Sequence, residues 1–272
     1  MDETQWFAQS AFPCRLAWGW RGARAAATRG DIVVVVDTLR FSTAAAAACA
    51  RGVTLWPVAT QADADACLRT LPPGAVTGKA FISPQRLLFL APGTQVALAT
   101  PNGATCCHLA RTAPRVFAGT IVSAGAVAEA VGAELEAGTA TAVTVLACGE
   151  RWSAADPDDG ALRFALEDFL GAGAVLRGLP TRLSRSPEAQ AAQATFQAFA
   201  PDLETILRTC GSGVELIDKG LADDLAYAAR LDTVAIAPVL VDGVRLEPWV
   251  PGPSISSRPL TIPRTQEIES LP

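Results

Sequence analysis

The chain has 272 residues, 50% of them hydrophobic, with a formal net charge of −5 and a sequence pI of about 5.0. That length suits one large domain or two small ones with an ample core. An acidic chain without a basic stripe is a poor match to nucleic acid, and no apolar stretch reaches the length of a membrane span. The opening M-D-E-T-Q-W-F lacks the basic and apolar regions of a signal peptide, so a cytoplasmic protein is expected.

Residues 1–30 read as irregular structure with three tryptophans (Trp6, Trp18, Trp20) and an edge strand around Cys14 to Trp20. Ile32 to Val36 is an unbroken β-branched run, which crowds a helix and suits a strand buried on both faces. It ends at Asp37. Thr38, Arg40, Ser42 and Thr43 follow, and then an alanine-rich helix that closes at Arg51-Gly52. The polar cluster thus sits where a buried strand hands over to a helix N-terminus, the place where open α/β sheets bind ligands and where anions are favoured. Asp37 could hold a cation or act as nucleophile, and Arg40 offers a planar fork to phosphate or sulfonate oxygens. The plainer alternative makes Asp37 or Thr38 an N-cap and Arg40 a solvated first-turn residue.

Val53 to Val58 reads as a second strand, Gln61 to Arg69 as an amphipathic helix stopped by Leu71-Pro72-Pro73-Gly74, and Val76 to Ser83 as containing a short strand. Val96 to Ala99 is a strand; Thr100-Pro101-Asn102-Gly103 is a turn that opens a helix through Leu109. Val116 to Ala118, Gly119-Thr120 and a helix from Ser123 to Glu136 repeat that construction, and Val143 to Ala147 ends in Cys148-Gly149-Glu150. Strands alternate with helices throughout 32–150, which argues a mostly parallel sheet covered on both faces. Its carboxyl edge would gather Asp37, Asn102, Thr120 and Glu150.

A polar loop with Asp156, Asp158 and Asp159 follows, and its spacing does not match a calcium loop. A long helix is expected from Leu162 to Leu176, with Arg163 and Glu167 on one face, where they can pair. Further helices are expected at 187–208 and Leu221 to Leu231, and a strand from Thr233 to Leu240. The boundary falls near residue 250: residues 1–250 form one α/β unit, and the Pro/Ser-rich tail 251–272 is either disordered or an arm over a neighbour, which leaves a homodimer open. Seven cysteines, an odd count with no C-x-x-C, indicate neither a disulfide framework nor a zinc knuckle. His108 is the only histidine, which excludes two-histidine chemistry.

These residues resemble the 2-phosphosulfolactate phosphatase family from about Asp31 to Gly243. The resemblance rests on D-T-L-R-F-S-T at 37–43, I-S-P at 82–84, T-P-N-G-A at 100–104 and A-G-T-I-V-S-A-G-A-V-A at 118–128. G-E-R-W at 149–152, D-G-A-L-R-F-A-L-E-D-F-L-G-A-G-A at 159–174 and G-S-G-V-E-L…G-L-A-D-D at 211–224 complete it. The resemblance implies a three-layer α/β/α fold and a magnesium-dependent phosphohydrolase acting on a small anionic substrate, 2-phosphosulfolactate, to give 3-sulfolactate on the way to coenzyme M. Matching motif positions nominate Asp37, Glu150 and Asp168 as the Mg2+ pool, one of them a nucleophile or water-orienting base. Arg40 and Arg163 are nominated as anion clamps, with Ser42, Asn102 and the Gly103 N–H completing the anion pocket. Three positions depart from the family pattern: Lys79 stands where members carry Glu, Ile82 where they carry Asn, and Ala104 where they carry Thr. The Lys79 ammonium motivates a rival reading, a non-catalytic anion-binding protein on the same scaffold; a phosphatase for a different small acid is a third.

Overall fold

The computed structural model describes residues 6–152 and 161–251. Eleven strands are found among them: β1 (Cys14–Trp18), β2 (Ile32–Val36), β3 (Thr54–Val58), β4 (Val76–Thr77), β5 (Gln95–Ala99), β6 (Val116–Gly119), β7 (Val143–Ala147), β8 (Glu150–Arg151), β9 (Leu162–Arg163), β10 (Pro238–Val241) and β11 (Arg245–Pro248). Nine build one sheet in the order β1-β7-β2-β6-β10-β11-β3-β5-β4, and β8 and β9 form a separate two-stranded ladder. The fold is three-layer α/β/α with a mostly parallel, mixed sheet.

β2 lies inside this sheet, parallel to β7 on one side and β6 on the other. All five of its residues are buried. Because side chains alternate across a strand, they divide between two cores. Ile32, Val34 and Val36 face the Ala124–Glu136, Leu166–Gly178 and Pro187–Phe199 helices. Val33 and Val35 join a second core with the Gly19–Arg29, Phe41–Arg51 and Gly103–Ala110 helices.

The Phe41–Arg51 helix is enclosed. Phe41 through Cys49 are all buried. Ala44, Ala45 and Ala48 pack into the core beside β2, while Ala46 and Ala47 meet Val122, Tyr227 and Val234. The helix also packs against β3, β6, β10 and β11, so the sheet curls around it.

The sheet departs from the expected single parallel edge. β10 pairs antiparallel with β6, β11 antiparallel with β10, and β3 antiparallel with β11. Three reversals set the β3-β5-β4 block against the β1-β7-β2-β6 block. Five strand steps separate β2 from β5, and at roughly 20–25° of twist per step the accumulated rotation is on the order of 100°. Curl and twist, not a shared parallel edge, bring the turn after β5 to the end of β2.

Several elements differ from the sequence reading. Residues 19–29 are helical rather than irregular. Glycines at 19 and 22 argue against a helix, but a Cβ at Gly22 would come within 2.9 Å of Ala17 and Leu146, so glycine permits close packing there. The helix expected from Leu162 begins at Leu166, because Leu162 and Arg163 pair with Arg151 and Glu150 instead. Arg163 and Glu167 therefore share no helix face. The 187–208 helix is interrupted by a 3-10 turn at Ala200–Asp202, which contains Pro201. Residues 222–228 are helical within the expected 221–231. The 233–240 strand starts only at Pro238, since the Asp232 and Val234 N–H groups bond to Ile121 and Val122 carbonyls. Asp156, Asp158, Asp159 and the tail beyond Pro251 lie outside the described residues. No helix among the described residues is long and apolar enough to cross a membrane.

Candidate active site

Asp37 directly follows β2 and is 6% exposed. Its own N–H donates to Ser42 Oγ (3.0 Å), and that hydroxyl donates to the Val35 carbonyl (3.0 Å). Its Oδ1 accepts the Phe41 N–H (3.1 Å), at the start of the Phe41–Arg51 helix. Its Oδ2 accepts the Gly103 N–H (3.0 Å), at the start of the Gly103–Ala110 helix. Two helix N-termini therefore converge on one carboxylate, a favourable placement for negative charge. Gly103 is required for this approach: a Cβ there would lie 2.2 Å from Phe41 Cδ1 and 2.8 Å from Asp37 Oδ2.

Asp168 stands behind Asp37, in the first turn of the Leu166–Gly178 helix and 3% exposed. Its Oδ1 accepts the Thr38 N–H (2.7 Å) and its Oδ2 the Gly149 N–H (2.9 Å), tying the turn after β2 to the turn after β7. Glu150 follows that second turn, on β8, and its Oε2 accepts from Asn102 Nδ2 (3.0 Å). Glu167, buried beside them, lies 3.6 Å from Cys210 Sγ.

This crowding of carboxylates marks the electrostatics. Burial pushes Asp37 up to about 6, aided by Glu167 and resisted by the Phe41 and Gly103 N–H bonds and by Arg40. Burial, then Asp37 and Glu167, push Glu150 up to about 7, against the Asn102 bond and Arg163. Asp168 is raised well above the carboxylate range by burial and by the negative charge of Asp37, Glu167 and Glu150, with the Thr38 N–H opposing. Such shifts gather at functional sites.

A cleft of about 280 Å³ opens over this cluster, bordered by Asp37, Arg40, Asn102 and Glu150 among the residues singled out from sequence. Leu39, Ile82, Thr100 and Pro101 complete one wall, and Ser212, Glu215 and Leu216 of the Gly211–Asp218 helix, with Lys219 just after it, the other. Ser42 and Gly103 do not border it; both support Asp37 from within. Asp168 does not border it either. Arg163 flanks it, opposite Glu150 in the β8–β9 ladder, with its guanidinium 5.6 Å from the Trp152 ring centre. Thr120 is used elsewhere, its hydroxyl 2.8 Å from that of Thr43. Of the three departures from the family pattern, Ile82 is in the cleft, Lys79 is exposed and outside its lining, and Ala104 is buried in the core. All seven cysteines are free.

Sequence reasoning passed over the groups that hold Arg40. Arg40 Nη1 donates to Asp224 Oδ2 (2.6 Å), and Asp224 Oδ1 accepts the Ser83 hydroxyl (2.6 Å). Both partners lie in motifs already quoted, I-S-P and G-L-A-D-D, but nothing in their spacing shows that the two meet at Arg40.

A family model, 2-phosphosulpholactate phosphatase, matches residues 22–243 and so covers every residue of the cleft and all of the nine-stranded sheet except β1 and β11. The chain belongs to that family. As a member of the 2-phosphosulfolactate phosphatase family, it is a phosphoric monoester hydrolase of that type. Similar curated proteins are each described as a probable 2-phosphosulfolactate phosphatase. That of Gloeobacter violaceus is 32% identical over 158 residues, 56% of this chain and 60% of its own length. Those of Symbiobacterium thermophilum and a Cyanothece species are 27% and 25% identical, over 79% and 78% of this chain and 93% and 90% of their own.

The donor set suits a hard divalent cation: carboxylate and amide oxygens, with no histidine or thiolate in the cleft lining. Among the described residues no three acidic, histidine or cysteine side chains are arranged to ligate one ion. Magnesium requires less, since it keeps several waters and takes one or two carboxylates. Asp37 and Glu150, which both border the cleft, fit that smaller demand.

Proposed function

We propose that this protein is a magnesium-dependent phosphohydrolase that cleaves the phosphate ester of a small acidic metabolite, 2-phosphosulfolactate, releasing 3-sulfolactate and phosphate in the cytoplasm. The observation that carries the reading is the meeting, in one cleft, of two charge-strained carboxylates, Asp37 and Glu150, with a guanidinium, Arg40. Family membership and the names of the relatives support the substrate. Asp37 and Glu150 would hold the ion, which would supply neutralising charge for the phosphoryl oxygens. Asp168 acts behind them by fixing the Thr38 and Gly149 turns.

Arg40 donates to the ligand's anionic oxygens through the edge of its fork not taken by Asp224. Asn102 has a second amide N–H beyond the one given to Glu150 and serves the same end. Glu150, half-buried and raised toward neutrality, is the group suited to take a proton from an attacking water when it is not fully engaged by the cation. Arg163 beside it suits the second acidic group of the substrate. The Lys79 ammonium that motivates a metal-free anion-binding protein is not part of the cleft lining, and the ammonium that is, Lys219, is paired with Glu215.

The test is phosphate release by the purified protein from 2-phosphosulfolactate and a panel of small phosphorylated acids, with magnesium and with chelator. Magnesium-dependent turnover is expected, fastest on 2-phosphosulfolactate. Binding of these acids without turnover would overturn the hydrolase reading, and turnover of another acid alone would overturn the substrate.

A further inference from the structure

Arg40 is the cleft's clamp, yet a long side chain on a turn has many rotamers, and ordering it costs entropy unless something holds it. Asp224 is placed to do this. It lies 184 residues along the chain, in the first turn of the Ala222–Ala228 helix, and is 2% exposed. One oxygen takes Arg40 Nη1 at 2.6 Å and the other takes the Ser83 hydroxyl at 2.6 Å. Ser83 directly follows Ile82, which borders the cleft. One buried carboxylate thus fixes both the clamp and the segment carrying the adjacent wall. Among the described residues this is the one hydrogen bond of the Arg40 side chain, so its remaining N–H groups are left for a ligand.

We propose that Asp224 is a positioning residue: it sets the Arg40 fork at the geometry that receives an anionic oxygen, and it acts by its shape rather than its charge. The inference rests on Arg40 binding the anion, as in the reading above. A negative charge at Asp224 opposes anion binding through space, so only geometry makes the carboxylate useful. An asparagine can keep that geometry, its oxygen accepting from Arg40 and its amide donating to Ser83 Oγ. Glutamate keeps the charge and moves it by a methylene.

The test is the affinity of inorganic phosphate, measured by calorimetry on the full chain, for wild type, Asp224→Asn, Asp224→Glu, Asp224→Ala, Arg40→Ala and the Arg40→Ala/Asp224→Ala pair, with melts of each. The expected order places Asp224→Asn at or above wild type. Asp224→Ala and Asp224→Glu should be weaker by about tenfold or more, the value of one charge-assisted hydrogen bond. The double variant should bind no worse than Arg40→Ala alone. A folded Asp224→Ala, or an Asp224→Glu if alanine does not fold, with wild-type affinity would overturn the proposal, as would a loss that adds to that of Arg40→Ala. Wild type that binds phosphate but turns over none of the panel would sink the hydrolase reading and leave this one standing. Wild type that binds no phosphate would sink the anion clamp and this inference with it.

Discussion

Asp37→Asn separates the electrostatic role of Asp37 from its hydrogen-bonding role. The folded protein raises this carboxyl from 3.8 to about 6. At 1.36 kcal/mol per pKa unit the difference is about 3 kcal/mol. The folded pKa lies above the unfolded value, so its contribution to stability is fully present below about 4 and is lost as pH rises through about 6. At pH 8, then, the wild type without metal bears this cost in full, and an uncharged asparagine does not. Against the gain stands a loss. Both Asp37 oxygens accept backbone N–H groups, from Phe41 and Gly103, and asparagine has one oxygen for two donors. An unpaired buried donor costs about 1–3 kcal/mol. The net at pH 8 is about 0–2 kcal/mol in the variant's favour, a rise of up to several degrees in Tm at about 2–4 °C per kcal/mol. By pH 5 the advantage should vanish. Turnover should fall by roughly a hundredfold or more, as when a group stabilising transition-state charge is removed. The assays are thermal melts from pH 5 to 8 in chelator, and phosphate release with magnesium. A variant with the wild-type pH slope in Tm would refute the electrostatic argument, and a fully active variant would remove Asp37 from the mechanism.

The other expectations follow from the same contacts. Magnesium should raise the wild-type Tm more at pH 8 than at pH 5, because only ionised Asp37 and Glu150 attract it; an equal shift at both, seen by thermal scanning, would contradict the assignment. Gly103→Ala drives a Cβ against the Phe41 ring and Asp37 Oδ2, so it should lower stability by about 1–3 kcal/mol in urea melts and reduce turnover; a silent substitution would show that the helix start can yield. Asp168→Ala strips the Thr38 and Gly149 N–H groups of their acceptor, at about 1–3 kcal/mol each, and a urea midpoint unchanged from wild type would exclude that bracing role.

The middle of the chain was readable because local rules and global packing agree there. Ile32 to Val36 can be little but a buried strand, and the succession of strand, polar turn and helix N-terminus repeats at Asn102. Those repeats placed Asp37, Asn102 and Glu150 together, and the Asn102–Glu150 contact spans 48 residues. The route was misread, since a parallel edge was assumed where hairpin reversals and curl achieve the meeting. Strand β10 was legible as the end of the 233–240 stretch, whereas β11, a four-residue strand with charged residues at Arg245 and Glu247 and a single-residue pairing to β3, carries no strand pattern of its own. Helix 19–29 was hidden by glycines whose purpose is tertiary. Asp224 was invisible for a different reason: a charged residue early in a short helix reads as a solvated first-turn acid, and only the fold shows it buried against Arg40.

The enclosed Phe41–Arg51 helix has a consequence for how this protein can vary. A helix on a surface has one face on which substitution is nearly free. Here Ala44 through Ala48 have no such face, so a single added methylene has to be absorbed by the sheet, by its neighbouring helices or by a shift along the helix axis. An axial shift moves the Phe41 N–H, and with it the Asp37 carboxylate. Random mutagenesis scored for turnover should therefore show a run of intolerant alanines reaching two turns beyond the cleft, in residues that touch no ligand.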